Sequence, residues 1–246
     1  MKLHTEHHGS GPETIALVHG LANDSTVWAD LVELAVATGR YTVITVDLRG
    51  HGRSERATTY ELADFADDLV ETLPVGLHGV VSHSLGGAVV VRAVEQLAPT
   101  RAVYLDPGFR LALPDTGLGG FLVRRARWSI PLLAAVSGRG VRTPVLSQEA
   151  KALEHASQER WDRGMTLGVL QDVALHPYRP TRQTAGSTVL LSGDAPHVVP
   201  DPLPEQLAEA GWSVVRENSL GHAMVLENAG VVWQLVEKAL EQHPAR

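Results

Sequence analysis

The feature that most constrains this chain is a repeated switch of hydrophobic period. Short apolar, β-branched-rich runs at residues 15–18 (IALV), 41–46 (YTVITV), 79–81 (GVV) and 102–105 (AVYL) alternate with longer segments in which apolar residues return every three or four positions. The longer segments are marked by Trp28, Leu31, Val32 and Ala35 after a Ser25 cap and a Gly39 stop. Leu62, Phe65, Ala66 and Leu69 mark the next, and a run to about Leu97 ends before Pro99. Strands with no polar alternation are buried on both faces, so the pattern predicts an α/β fold with a mostly parallel sheet between two helical layers.

The alternation breaks over residues 107–184, where the chain is punctuated by Pro and Gly and then turns helical over 147–165 and 166–176. It resumes with strands at 188–191 and 212–215 and a last helix capped by Asn228, with Val232, Leu235, Val236 and Ala239 on its apolar face. At 246 residues the chain accommodates one large domain. Residues 1–106 and 185–246 are therefore read as the core and 107–184 as an inserted cap or lid, since an insertion this long rarely serves as a plain loop.

Composition removes whole classes of function. Net charge is −7, from 21 basic and 28 acidic residues, and the lysines are Lys2, Lys151 and Lys238 alone. Such a surface is unsuited to a phosphate backbone, so no nucleic-acid partner is expected. With no Cys there is no disulfide, thiolate metal site or thiol nucleophile. His4, His7 and His8 lack carboxylates at ligand spacing, and no metal or cofactor is expected. The first residues, MKLHTEHHGSGPET, show no apolar signal segment, and no apolar run reaches membrane-spanning length. The expectation is a cytoplasmic protein acting on a small molecule away from membranes.

Chemistry concentrates at Ser82-His83-Ser84-Leu85-Gly86-Gly87, between an apolar strand and an apolar helix. A small residue two before and two after Ser84 is what a sharp strand-to-helix turn requires, with the hydroxyl raised above the sheet as a nucleophile. Ser82 stands where Gly is commoner. The helix start behind Ser84 favours a developing oxyanion. His19-Gly20, ending another apolar strand, places the Leu21 N–H to join that of Leu85 as the two donors of an oxyanion hole.

Four segments in this order, Leu17–Leu21 (LVHGL), residues 46–54 (VDLRGHGRS), 82–87 (SHSLGG) and 220–223 (LGHA), resemble the α/β-hydrolase superfamily. The resemblance spans nearly the whole chain outside the insertion. It implies a triad in chain order Ser, acid, His, with a cap inserted within the fold. His222 matches the position of the base, which takes the Ser84 proton during attack and returns it to the leaving group.

The acid stays open on sequence. In the stretch Leu191-Ser192-Gly193-Asp194-Ala195-Pro196, the position that carries the acid in the family holds Pro196, and Asp194 falls two residues early. Either a remodelled loop brings Asp194 to His222, or the acid is Asp106 at the end of the preceding strand, or no acid operates. Asp47 and Arg49 are read as structural, with Gly50 and Gly52 forming the turn. Arg124, Arg125 and Arg127 form a solvated face or an anion patch, and Phe121, Leu122, Val123, Trp128, Ile130, Leu132 and Leu133 line a pocket or fasten the lid. The function expected is that of a serine hydrolase of a small, neutral to moderately apolar ester or related acyl compound. C–C hydrolysis, perhydrolysis, lyase or acyl-transfer chemistry, and a receptor-like binder with weak turnover, are the alternatives.

Overall fold

A computed structural model of the chain describes residues 1–113, 121–122, 125, 144–193 and 198–242. Its centre is a seven-stranded sheet in the order β1-β3-β2-β4-β5-β6-β7. The strands are β1 (His4–His8), β2 (Glu13–Val18), β3 (Tyr41–Asp47), β4 (Gly79–His83), β5 (Arg101–Leu105), β6 (Gly186–Ser192) and β7 (Ser213–Glu217). All pairings are parallel except β1 with β3.

Burial explains why the strand sequences are apolar throughout. Ala16, Val18, Ile44, Val46, Val80, Ala102, Tyr104 and Val189 face one layer, which contains α2 (Leu62–Thr72) and α3 (Leu85–Leu97). Ile15, Leu17, Val43, Val81, Val103, Leu105 and Leu190 face the other, formed by α1 (Ala29–Ala37) and a long C-terminal helix, Ala229–Glu241. Each strand thus contributes alternate residues to two cores.

Several local readings need adjustment. A strand at His4–His8 is absent from the sequence reading because its five residues, HTEHH, are all polar; it forms by antiparallel pairing with β3, His4 opposite Asp47 and His8 opposite Val43. The cap ahead of α1 is Asp24, whose carboxylate accepts from the Thr26 N–H at 3.0 Å; Ser25–Trp28 form a 3-10 turn before α1 begins. Asn228 does cap the last helix, accepting from Val231 N–H at 3.0 Å.

The described part of residues 107–184 holds α4 (Gln148–Glu159) and α5 (Met165–Leu175). These are tied to the sheet layer by polar links. Arg160 Nε donates to Asp24 at 2.8 Å, Tyr60 Oη to Asp162 at 2.8 Å, Asp162 N–H to Gly50 O at 2.7 Å and Leu62 N–H to Asp172 at 2.6 Å. Phe121 and Arg125 are exposed, whereas Arg124, Arg127, Val123, Trp128, Ile130, Leu132 and Leu133 lie outside the described residues. After β6 come α6 (Leu203–Glu209) and, beyond β7, the short α7 (Met224–Glu227) and α8 (Ala229–Glu241). Among the described residues no helix is long and apolar enough to cross a membrane.

Candidate active site

Ser84 sits between the last residue of β4 and the first of α3, at φ 49° and ψ −114°. A non-glycine residue at positive φ with such a ψ is a strained conformation, sustained by its surroundings. Those surroundings are close. A methyl group on Gly86 would lie 2.5 Å from Val18 O and 2.6 Å from His19 O, so α3 begins in contact with the backbone of β2. Ser82, the residue that stands in for the commoner Gly, is fully buried and donates its hydroxyl to Val103 O of β5 at 3.3 Å.

The Ser84 hydroxyl donates to His222 Nε2 at 3.1 Å, and His222 Nδ1–H donates to Asp106 Oδ2 at 2.6 Å. A carboxylate only accepts, so this contact fixes the neutral tautomer with the proton on Nδ1 and the lone pair of Nε2 toward Ser84. Asp106, buried at 5% exposure, follows β5 at φ +39° and also accepts from the Ser192 N–H at 3.2 Å and hydroxyl at 3.0 Å. Of the two carboxylates open on sequence, Asp106 therefore meets His222, and Asp194 lies outside the described residues. Ser192 escaped the sequence reading because a serine ending a strand carries no signal of its own.

The loop after β2 completes the other side. Ala22 adopts φ 63°, and its N–H donates to His51 Nε2 at 3.3 Å, while His51 Nδ1–H donates to Arg49 O at 2.9 Å. His19 Nε2 accepts from the Leu48 N–H at 3.0 Å, and its Nδ1–H donates to Gly20 O at 2.8 Å. Burial pushes both imidazoles toward the neutral form, His19 below the usual range and His51 to about 3. Leu21, in this loop, lines the space above Ser84, and Leu85 follows Ser84 as the first residue of α3, where a helix's N–H has no intrahelical acceptor.

His83 was not singled out from sequence. It is buried, its Nε2–H donates to the backbone carbonyl of His222 at 2.8 Å, and a methyl on Gly20 would come within 3.0 Å of its Nδ1. Burial, with His222 close by, lowers its pKa to about 3, so it is a neutral wedge between the two loops.

Asp47 and Arg49 are held as braces. Asp47 accepts from Ser25 N–H at 2.7 Å and Arg53 N–H at 2.8 Å, and a methyl on Gly52 would stand 2.3 Å from its carboxylate. Arg49 Nε donates to Asp68 at 2.6 Å. Among the described residues no group of three or more His, Cys, Asp or Glu is arranged to hold a metal ion.

Above Ser84 lies a pocket of about 180 Å³. Its wall among the described residues combines apolar Val27, Trp28, Val225 and Leu226 with Asn23, Glu154 and Gln158, beside Ser84, His83 and His222. A hydroxyl with an oriented base, next to helix-start and loop amides and a partly apolar cavity, is equipped for acyl transfer.

A family model described as "Alpha/beta hydrolase family" matches residues 15–235. A 2-(acetamidomethylene)succinate hydrolase of Mesorhizobium japonicum is 41% identical over 88 residues, 34% of this chain and 31% of that protein. A pimeloyl-[acyl-carrier protein] methyl ester esterase of Nitrosomonas europaea is 37% identical over 103 residues, 42% of this chain and 39% of that protein. The matches span less than half the length of these curated relatives, and 46% of an uncharacterised Mycobacterium tuberculosis protein that is 39% identical over 159 residues. Among solved structures, a hydrolase from Oleispira antarctica superposes with TM-score 0.76 at 17% identity, covering 97% of this chain and 94% of the other. The enol-lactonase of Burkholderia xenovorans does so with TM-score 0.70 at 20% identity, covering 98% and 96%.

Proposed function

The chain belongs to the α/β-hydrolase family, and from that premise we propose that it is a serine hydrolase that cleaves a small ester or related acyl compound through an acyl-enzyme. The observation that carries the reading is the continuous link Ser84 Oγ to His222 Nε2 (3.1 Å) and His222 Nδ1 to Asp106 Oδ2 (2.6 Å). In it, Ser84 attacks the carbonyl carbon while His222 takes the hydroxyl proton. Asp106 stabilises the imidazolium, and the Leu21 and Leu85 amides receive the oxyanion. His222 then protonates the leaving group, and water activated by the same imidazole cleaves the acyl-enzyme.

Glu154 and Gln158, from the inserted segment, supply part of the wall over this site, which supports reading the insertion as a cap. The missing carboxylate at Pro196 is the reason for entertaining a receptor-like protein with weak turnover; the Asp106 contact favours turnover instead. Relatives named as a 2-(acetamidomethylene)succinate hydrolase and a methyl ester esterase support the hydrolytic reading.

The test is a chain-length series of p-nitrophenyl esters on wild type and Ser84→Ala, with fluorophosphonate labelling of both. Wild type is expected to label and to hydrolyse the short esters, and Ser84→Ala to do neither. Equal hydrolysis by the two proteins would refute Ser84 as nucleophile.

A further inference from the structure

Resting on the reading of Ser84 as nucleophile, we infer that the substrate carries a cationic ammonium group, recognised by Glu154. Glu154 and Gln158 stand one turn apart on α4, and both line the pocket that holds Ser84 and His222. The helix is fixed in that orientation by its neighbours on the same side. Ser157 is fully buried, with its hydroxyl 3.5 Å from Asn23 Oδ1, and Arg160 binds the Asp24 carboxylate through Nε at 2.8 Å and Nη2 at 2.6 Å. Trp161, the next residue on, stacks on His51 at 6.0 Å between ring centroids.

The same contacts leave a carboxylate on the described wall of the pocket. Arg160, the cation of this helix end, is committed to Asp24, whereas among the described residues no hydrogen bond or ion pair engages the Glu154 side chain. Apart from His83 and His222, Glu154 is the one ionisable residue lining the pocket among the described residues. A carboxylate half-removed from water beside Val27, Val225 and Leu226 attracts an ammonium group more strongly than it would in bulk solvent, and repels an anionic substrate. The substrate class this points to is an ester with an apolar body and a cationic end, in place of the neutral one expected from the sequence.

Two ester pairs test this, each matching a trimethylammonium compound with its neutral tert-butyl isostere. One is acetylcholine, with the cation on the alcohol side. The other is the ethyl ester of trimethylammonio-butanoic acid, with the cation on the acyl side. At low salt, wild type is expected to favour the cation in at least one pair by about tenfold or more in kcat/KM. Glu154→Gln should bring that ratio near one, and Glu154→Lys should invert it. A wild-type ratio within about threefold of one in both pairs overturns the proposal, as does a preference that persists in Glu154→Gln. Calorimetric titration of Ser84→Ala, with and without Glu154→Gln, reads recognition without turnover: binding of the cationic esters that is lost with Glu154 supports the proposal, and equal binding of both isosteres overturns it. Failure of wild type to cleave any of the four esters would count against the hydrolase reading, and the titration would still decide the role of Glu154.

Discussion

His222 is held at both ends, by Asp106 on its ring and by His83 on its backbone carbonyl. The two restraints do different work and separate experimentally. Asparagine at 106 can present an amide N–H to Nδ1 and turn the ring to the wrong tautomer; in a Ser–His–Asp site such a change costs about 10⁴ in kcat. Asp106→Asn is expected to show a loss of that order with an unchanged circular dichroism spectrum, and a loss below about tenfold would remove Asp106 from the triad. On the proposed mechanism His83 acts as a positioning residue, through the hydrogen bond from its Nε2–H to the His222 carbonyl. His83→Leu is expected to lower kcat roughly 10- to 100-fold while KM moves less than about threefold, because a small displacement of the base affects the chemical step more than binding. His83→Gln keeps a donor near the Nε2 position and should recover most of the rate; no recovery would mean that the ring matters for packing alone.

At the scale of the element, the turn at Ser84 depends on how closely α3 approaches β2. Gly86→Ala would set a methyl 2.5 Å from Val18 O, and because backbone cannot yield as a side chain does, a destabilisation of about 3 kcal/mol is expected. Gly168, inside α5, has nothing within 4 Å of the corresponding position, so Gly168→Ala should stabilise by roughly 0.5–1 kcal/mol through helix propensity. Urea unfolding of the two variants against wild type checks both signs. A harmless Gly86→Ala would contradict the tight turn. The elements themselves were readable where one physical rule dominates. The runs at 15–18 and 102–105 are apolar because both faces are covered, and Asn228 caps because its short amide competes well for a free N–H. β1 was not readable, since its polar residues make a strand only beside β3.

For the whole molecule, the buried neutral histidines tie stability to acid. His51 and His83 titrate near 3 in the folded chain through burial, and His19 is lowered as well, whereas an unfolded histidine titrates near 6.5. Between these values the unfolded chain binds more protons, so stability falls as pH drops through about 6.5 toward 3. From pH 7 to pH 5 the loss is about 2 kcal/mol each for His51 and His83, and urea midpoints over that range should fall accordingly. A flat profile would contradict the neutral, buried state of His51 and His83. From sequence alone came the α/β class and the pairing of Ser84 with His222, whose side chains meet at 3.1 Å, because periodicity and small-residue spacing are local properties of the chain. The choice of Asp106, the wedge of His83 and the carboxylate of Glu154 in the pocket came only with the tertiary structure. Asp106 and His222 are 116 positions apart, and β5 and β6 end side by side, so sequence leaves either strand end able to supply the acid, and only the folded loop sets Asp106 against the imidazole.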